Sequence, residues 1–205
     1  MISAARIVKI APAAEPYAVE LVKQMAEAGI QANPRRASMF LGQIHVESGG
    51  FTNVVESLNY ALTSTMMSRF IGWGRITEAD AEKFARTKDH PANQSALANI
   101  LYGGEFGRRE LGNTEPGDGW RFRGRGLKQL TGRDNYRRFS RAWLGDESLL
   151  AKPDRVAEPD GAVASAVWFW MSRQLNAEAD RGTVRSVTKL VNGGDVGLAE
   201  REKWT

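Results

Sequence analysis

The chain has 205 residues, 42% hydrophobic and 25% charged, with a net charge of +4 and a pI near 9.5. It contains no cysteine, which excludes disulfides and thiolate metal sites, and no run of apolar residues long enough to cross a membrane as a helix. The mild positive charge fits solubility alone, and it also suits an acidic polymer such as nucleic acid, an anionic membrane surface or a cell wall.

The signals are helical nearly throughout. Arg6 and Lys9 interrupt the first residues, so no signal-peptide core is expected and synthesis in a cytoplasm follows. Pro16 is placed to open a helix to about Ala28, ended by Gly29. Asn33-Pro34 is a cap followed by proline at the first helical position, and Ala37, Phe40, Leu41 and Ile44 recur at helical spacing behind it. Gly49 or Gly50 should stop that helix. Thr77 and Asp80 resemble a capping box for a short helix through Ala85, and another runs over 92–102 to Gly103-Gly104. Residues 103–126 are rich in glycine without periodicity, which predicts a long loop region of the kind that carries function. Helices are predicted at Arg133 to Leu144, from Pro159-Asp160 through Met171, and from a Thr183 cap through Val191 to Gly193-Gly194. A fragment over 198–204 follows, and short strands are expected only within 120–130. The class is mainly α.

Glu47 and Glu56 stand nine residues apart around Gly49-Gly50, in "HVESGGFTNVVES". On one continuous helix, at about 100° per residue, they would face opposite sides. The glycine pair ends the helix and lets Glu56 return from a loop. Glu47 follows Phe40 and Ile44 at helical spacing, so it projects from an apolar face, where an unpaired carboxyl resists ionisation as a general acid must. Glu56, followed by polar "SLNY", has a wetter setting. Two carboxyls in unlike surroundings are what glycoside hydrolysis requires. The structural alternative is a buried glutamate paired with an arginine.

The stretch "GDGWRFRGRGLKQLTGRDNY" (117–136), taken with "HVESGG" (45–50), "ESLNY" (56–60) and "VNGG" (191–194), resembles glycoside hydrolase family 19, a chitinase-like group that includes bacteriophage endolysins. The similarity covers about residues 35–204. It implies a lysozyme-like, two-lobed helical fold with a central substrate cleft, and an inverting mechanism without cofactor. By the same resemblance Glu47 is the general acid, Glu56 the general base, and the Thr131 hydroxyl helps hold the attacking water. Tyr60, Gln129, Asn135, Asn192 and Arg201 fall on positions implied to contact substrate. The short span between Gly194 and Arg201 and the lack of disulfides suggest a trimmed microbial or phage form with an open groove, which inclines the reading to peptidoglycan over chitin.

Other motifs are weaker. Two histidines and no cysteines supply no zinc set. His45 is expected to support the cleft by hydrogen bonding. "GWRFRGRG" read alone suits RNA, but within the resemblance Arg125 is the candidate to pair a catalytic carboxylate. "GEFGRRELG" lacks the ending of a phosphate loop. Trp168, Phe169 and Trp170 are expected mainly in the core. The expectation is one catalytic domain over 1–205, with 1–34 packed on it as a helical segment and no separate wall-binding module. The chain is expected to be an endolysin acting as a monomer on peptidoglycan strands, without nucleic acid or integral membrane association. Synthesis in a host bacterial cytoplasm and passage to the wall through a holin are expected. A chitinase and a non-catalytic wall-binding module are the alternatives.

Overall fold

Short polar side chains open several of the helices. Asn33 accepts from the Arg36 N–H at 2.8 Å and Pro34 occupies the first turn, which starts the helix Pro34–Glu47. Thr183 and Ser186 form a reciprocal capping box for the helix Val184–Asn192, and Gly193 closes it with φ +80°.

The computed structural model describes residues 1–205. In chain order the helices are α1 (Ala4–Ile10), α2 (Ala18–Glu27), α3 (Pro34–Glu47), α4 (Thr65–Gly72), α5 (Glu78–Phe84), α6 (Gln94–Leu101), α7 (Gly104–Phe106), α8 (Asp118–Arg121), α9 (Arg133–Leu144), α10 (Pro159–Ser172), α11 (Leu175–Arg181), α12 (Val184–Asn192) and α13 (Leu198–Trp204). No strand forms, and the one isolated bridge joins Ala61 to Arg86. The chain is mainly helical, as its periodicity predicts.

The chain divides into two compact units. The first comprises residues 1–54, 125–129 and 154–205. Its core gathers Leu21, Met25, Ile30, Phe40, Leu127, Val163, Trp170 and Val187. Residues 1–34 belong to this core through Ile7, Ala14, Tyr17, Leu21 and Ile30. Helix α10 is buried along nearly its whole length, from Gly161 to Ala166 and again at Trp170, which fits its apolar sequence without a polar stripe. Gly161 is required there: a Cβ would stand 2.1 Å from the Arg155 carbonyl oxygen.

The second unit comprises residues 55–124 and 130–153. Leu58, Met67, Phe70, Ala81, Leu97 and Leu101 form its core. Phe122 packs on Tyr136 with ring centroids 5.3 Å apart.

The structure corrects several sequence expectations. Pro16 lies inside a 3-10 stretch, Pro12–Tyr17, and α2 begins only at Ala18. Helices α1, α4 and α11 were not expected. Ser3 and Ser64 cap the first two, and α11 starts from Gln174 in the left-handed conformation, φ +54°. Residues 103–126 are not a plain loop, because they contain α7, a π-helical stretch Gly107–Leu111, and α8. Buried polar side chains hold this region in place of an apolar stripe. Asp118 accepts from the Thr114 and Glu115 N–H groups, each at 3.0 Å, and pairs with Arg133 at 2.9 Å. Asn113 donates to the Tyr102 carbonyl and accepts from the Arg133 N–H. The expected strands at 120–130 are absent.

Candidate active site

In the first unit Glu47 is the last residue of α3. Ser48 ends the helix: its hydroxyl donates to the Ile44 carbonyl at 2.7 Å and accepts from the Phe51 N–H at 2.9 Å. Gly49 and Gly50 follow at φ +57° and +74°, values that glycine adopts without strain. The chain then reverses, and the Gly50 N–H returns to the His45 carbonyl at 2.7 Å. Phe51 is buried at φ +68°, a left-handed conformation that costs a bulky residue about 1–3 kcal/mol.

Glu47 is not the unpaired carboxyl that its place on an apolar face suggested. Its Oε1 accepts from Arg201 Nη2 at 2.5 Å and its Oε2 from Lys128 Nζ at 2.7 Å. The side chain is 15% exposed, against 4% for Arg201 and 16% for Lys128. Neither cation could be assigned to Glu47 by spacing, since they lie 154 and 81 residues away in the chain. Arg201 also donates to Gln43 Oε1 at 2.5 Å, and Gln43 in turn donates to Thr188 at 3.0 Å. Arg201 is therefore a buried support for Glu47 in this structure. Lys128 was missed by sequence reading, although it sits inside the quoted "GRGLKQL" motif. Its Nζ lies 4.6 Å from the centre of the Phe169 ring, and the Arg173 guanidinium lies 3.8 Å from the same centre.

The remaining candidates of this unit do not meet the Glu47 carboxylate. Arg125 is 2% exposed and pairs with Asp154 at 2.6 Å, and the cations on Glu47 are Lys128 and Arg201. Gln129 takes φ +55° and donates to the carbonyls of Asn53, at 2.9 Å, and Gly126, at 3.1 Å. Asn192 closes a local turn, donating to the Val196 carbonyl and accepting from the Gly194 N–H, both at 2.9 Å. His45 is not the expected hydrogen-bonding support. Its ring stacks on Trp204 with centroids 3.7 Å apart and meets the edge of Phe51, while Nδ1 is buried without a partner. Burial lowers the His45 pKa below its ordinary value, with smaller opposing influences from Glu200 and Lys203.

In the second unit Glu56 is part-buried, not simply wet. Its N–H donates to the Gly124 carbonyl at 2.9 Å. Its side chain accepts from the Tyr102 hydroxyl at 2.5 Å and the Gly124 N–H at 3.1 Å. Tyr102 is a further residue that sequence reading missed, since it appears there only as a helix end. Burial, then the Glu56 charge, pushes its phenol far above the usual tyrosine range, so it acts as a hydrogen-bond donor and stays neutral. Tyr60 is raised by burial and by Glu56, and its ring meets Phe70 edge-on with centroids 5.5 Å apart. Thr131 precedes α9, and its carbonyl accepts from Asn135 Nδ2 at 2.8 Å. Both carboxylates thus carry dedicated donors on each oxygen, cationic for Glu47 and neutral for Glu56.

These sites sit in a chain with recognisable relatives. A protein of Haemophilus influenzae described as a glycosyl hydrolase family 19 domain-containing protein is 36% identical over 195 residues, covering 92% of this chain and 88% of that protein. An acidic 27 kDa endochitinase of Solanum lycopersicum is 31% identical over 152 residues, 61% of this chain and 59% of that protein. Acidic endochitinase Q of Nicotiana tabacum is 29% identical over 152 residues, and this chain spans 57% of it. The chain therefore covers less than two thirds of the length of these plant relatives. The crystal structure of chitinase C from Streptomyces griseus superposes with a TM-score of 0.59 at 18% identity, over 98% of this chain and 72% of that one, a likeness of fold. No family model matches the chain.

Proposed function

Because the chain belongs to glycosyl hydrolase family 19, and is thus a glycoside hydrolase of the chitinase-like helical fold, we propose that it hydrolyses β-1,4 bonds between the amino sugars of bacterial peptidoglycan. Glu47 gives a proton to the glycosidic oxygen. Glu56 takes a proton from a water molecule, whose oxygen bonds to the anomeric carbon as the bond to the leaving sugar breaks, and the configuration inverts. The Thr131 hydroxyl orients that water, accepting one hydrogen bond and donating another. Tyr102 and the Gly124 N–H fix the Glu56 carboxylate for this role. Tyr60, Gln129, Asn135 and Asn192 are the proposed sugar contacts, and Arg201 holds the Glu47 carboxylate.

One observation carries the assignment. The two acids flanking the glycine pair have separate donor sets on their oxygens, as two carboxyls with different tasks require. The cations around Glu47 and the net charge of +4 favour an anionic polymer. The second reading is chitin, favoured by the endochitinase names of the plant relatives. Turbidity loss of outer-membrane-permeabilised bacteria, set against release of chitin oligomers, separates the two. Mass spectrometry of the new reducing ends identifies which peptidoglycan bond is cut. Glu47→Gln should lower the rate by about 10²–10⁴-fold while the protein stays folded. Unchanged lysis by that variant would leave only a wall-binding module. The proposed setting is phage lysis, with a monomer released to the wall through a holin lesion.

A further inference from the structure

Two cations touch Glu47, and they are held very differently. Arg201 is 4% exposed and bridges Glu47 to Gln43, which is itself tied to Thr188. It has no freedom to leave. Lys128 has Glu47 as its hydrogen-bond partner and the face of Phe169 beside it, and its side chain is 16% exposed against 4% for Arg201. Arg173 lies on the same ring, is exposed, and forms no ion pair. Phe169 therefore carries two cations, one lent to the acid and one uncommitted.

This arrangement conflicts with proton donation. A carboxyl that protonates a glycosidic oxygen must present its O–H to the substrate. Here Oε1 accepts from Arg201 and Oε2 from Lys128. A proton on Oε2 competes with the Lys128 ammonium for that oxygen, and Lys128 is the less tightly held of the two cations.

We propose that Lys128 is a specificity-determining residue: a carboxylate on the glycan draws its ammonium off Glu47 and binds it together with Arg173, leaving Glu47 free to act. One ion pair replaces another, so the exchange costs little. Lys128 keeps its proton. Glu47 takes up a proton from the bulk solvent, Oε2 passes it to the leaving oxygen, and the proton that Glu56 takes from the attacking water returns to the solvent. Peptidoglycan offers carboxylates on the stem peptides that its glycan carries, whereas chitin is neutral. The inference rests on the wall-polymer reading above and deepens it: the acid is released by the anionic substrate and stays clamped on a neutral one.

The test compares wild type, Lys128→Met and Lys128→Arg on three substrates. These are purified peptidoglycan, the same material with its carboxyls converted beforehand to neutral methylamides, and chitohexaose. Wild type should lose about tenfold or more in kcat/KM on the amidated wall. Lys128→Met should bring the native-to-amidated ratio close to one and raise turnover of chitohexaose, while Lys128→Arg keeps the discrimination. A merely structural lysine would lower all three rates together and leave their ratio unchanged. Equal wild-type rates on native and amidated wall overturn this inference and leave the wall assignment standing. Wild type that cleaves chitohexaose but neither wall overturns both. Equal wild-type rates need no variant to overturn the inference, and a native-to-amidated ratio that persists at about 0.5 M salt, where the attraction of the net charge is screened, supports it even if Lys128→Met fails to fold.

Discussion

Tyr102 illustrates what a single side chain adds at the site. Its hydroxyl reaches Glu56 at 2.5 Å from a part-buried position, and desolvation with the Glu56 charge keeps it a neutral donor. Tyr102→Phe removes that donor and leaves one carboxylate oxygen without its partner. With Glu56 as the proposed base, the expected result is a fall of about tenfold in kcat with KM little changed, because positioning of a base matters in the transition state and less in substrate binding. His45 makes the complementary case for stability. Its folded pKa lies below the ordinary 6.5 through burial, so as pH falls the unfolded chain takes up the proton first. The stability it contributes is complete above about pH 6.5 and is lost as pH falls below that value. His45→Phe keeps a ring against Trp204 and removes the orphan nitrogen. Thermal melts between pH 7.5 and 5 should show a smaller loss of Tm for the variant than for wild type.

Among the elements, α3 and α10 do most to place the Glu47 site. Helix α3 delivers Glu47 at its last position and Gln43 one turn earlier, so the acid and the anchor of Arg201 share one face. Helix α13 returns Arg201 to that face. Helix α10 carries Phe169 and Trp170 side by side with different fates: Trp170 is buried edge-on against Phe40, and Phe169 holds the two cations. The expectation that this aromatic run packs inward thus fits Trp170 better than Phe169. The start of α10 depends on a close backbone approach at Gly161. Gly161→Ala should destabilise the protein by about 1–3 kcal/mol, read as a lower urea midpoint, since the obstructing atom is backbone and cannot swing aside.

At the scale of the whole molecule, charge is the property that bears on function. A net charge of +4 attracts an anionic polymer over a range set by salt. Hydrolysis of peptidoglycan should therefore fall as ionic strength rises from about 0.05 to 0.5 M, while hydrolysis of a neutral chito-oligosaccharide changes little. Equal salt responses on both substrates would remove charge as a reason to prefer the wall.

The sequence alone determined the helical class, most helix limits, and the two acids with the glycine turn between them. Those features depend on local rules. Asn33-Pro34 starts α3, Ser48 and two left-handed glycines end it, and Thr183 caps α12, whatever the rest of the chain does. The irregular helices between Gly104 and Arg121 escaped that reading because Asp118 and Asn113 hold them through buried hydrogen bonds, which leave no periodicity. The partners of the acids were equally hidden. Lys128, Arg201 and Tyr102 reach their carboxylates across 81, 154 and 46 residues of chain. Only tertiary structure makes contacts of that range, since packing, and not spacing along the chain, decides which donor meets which carboxylate.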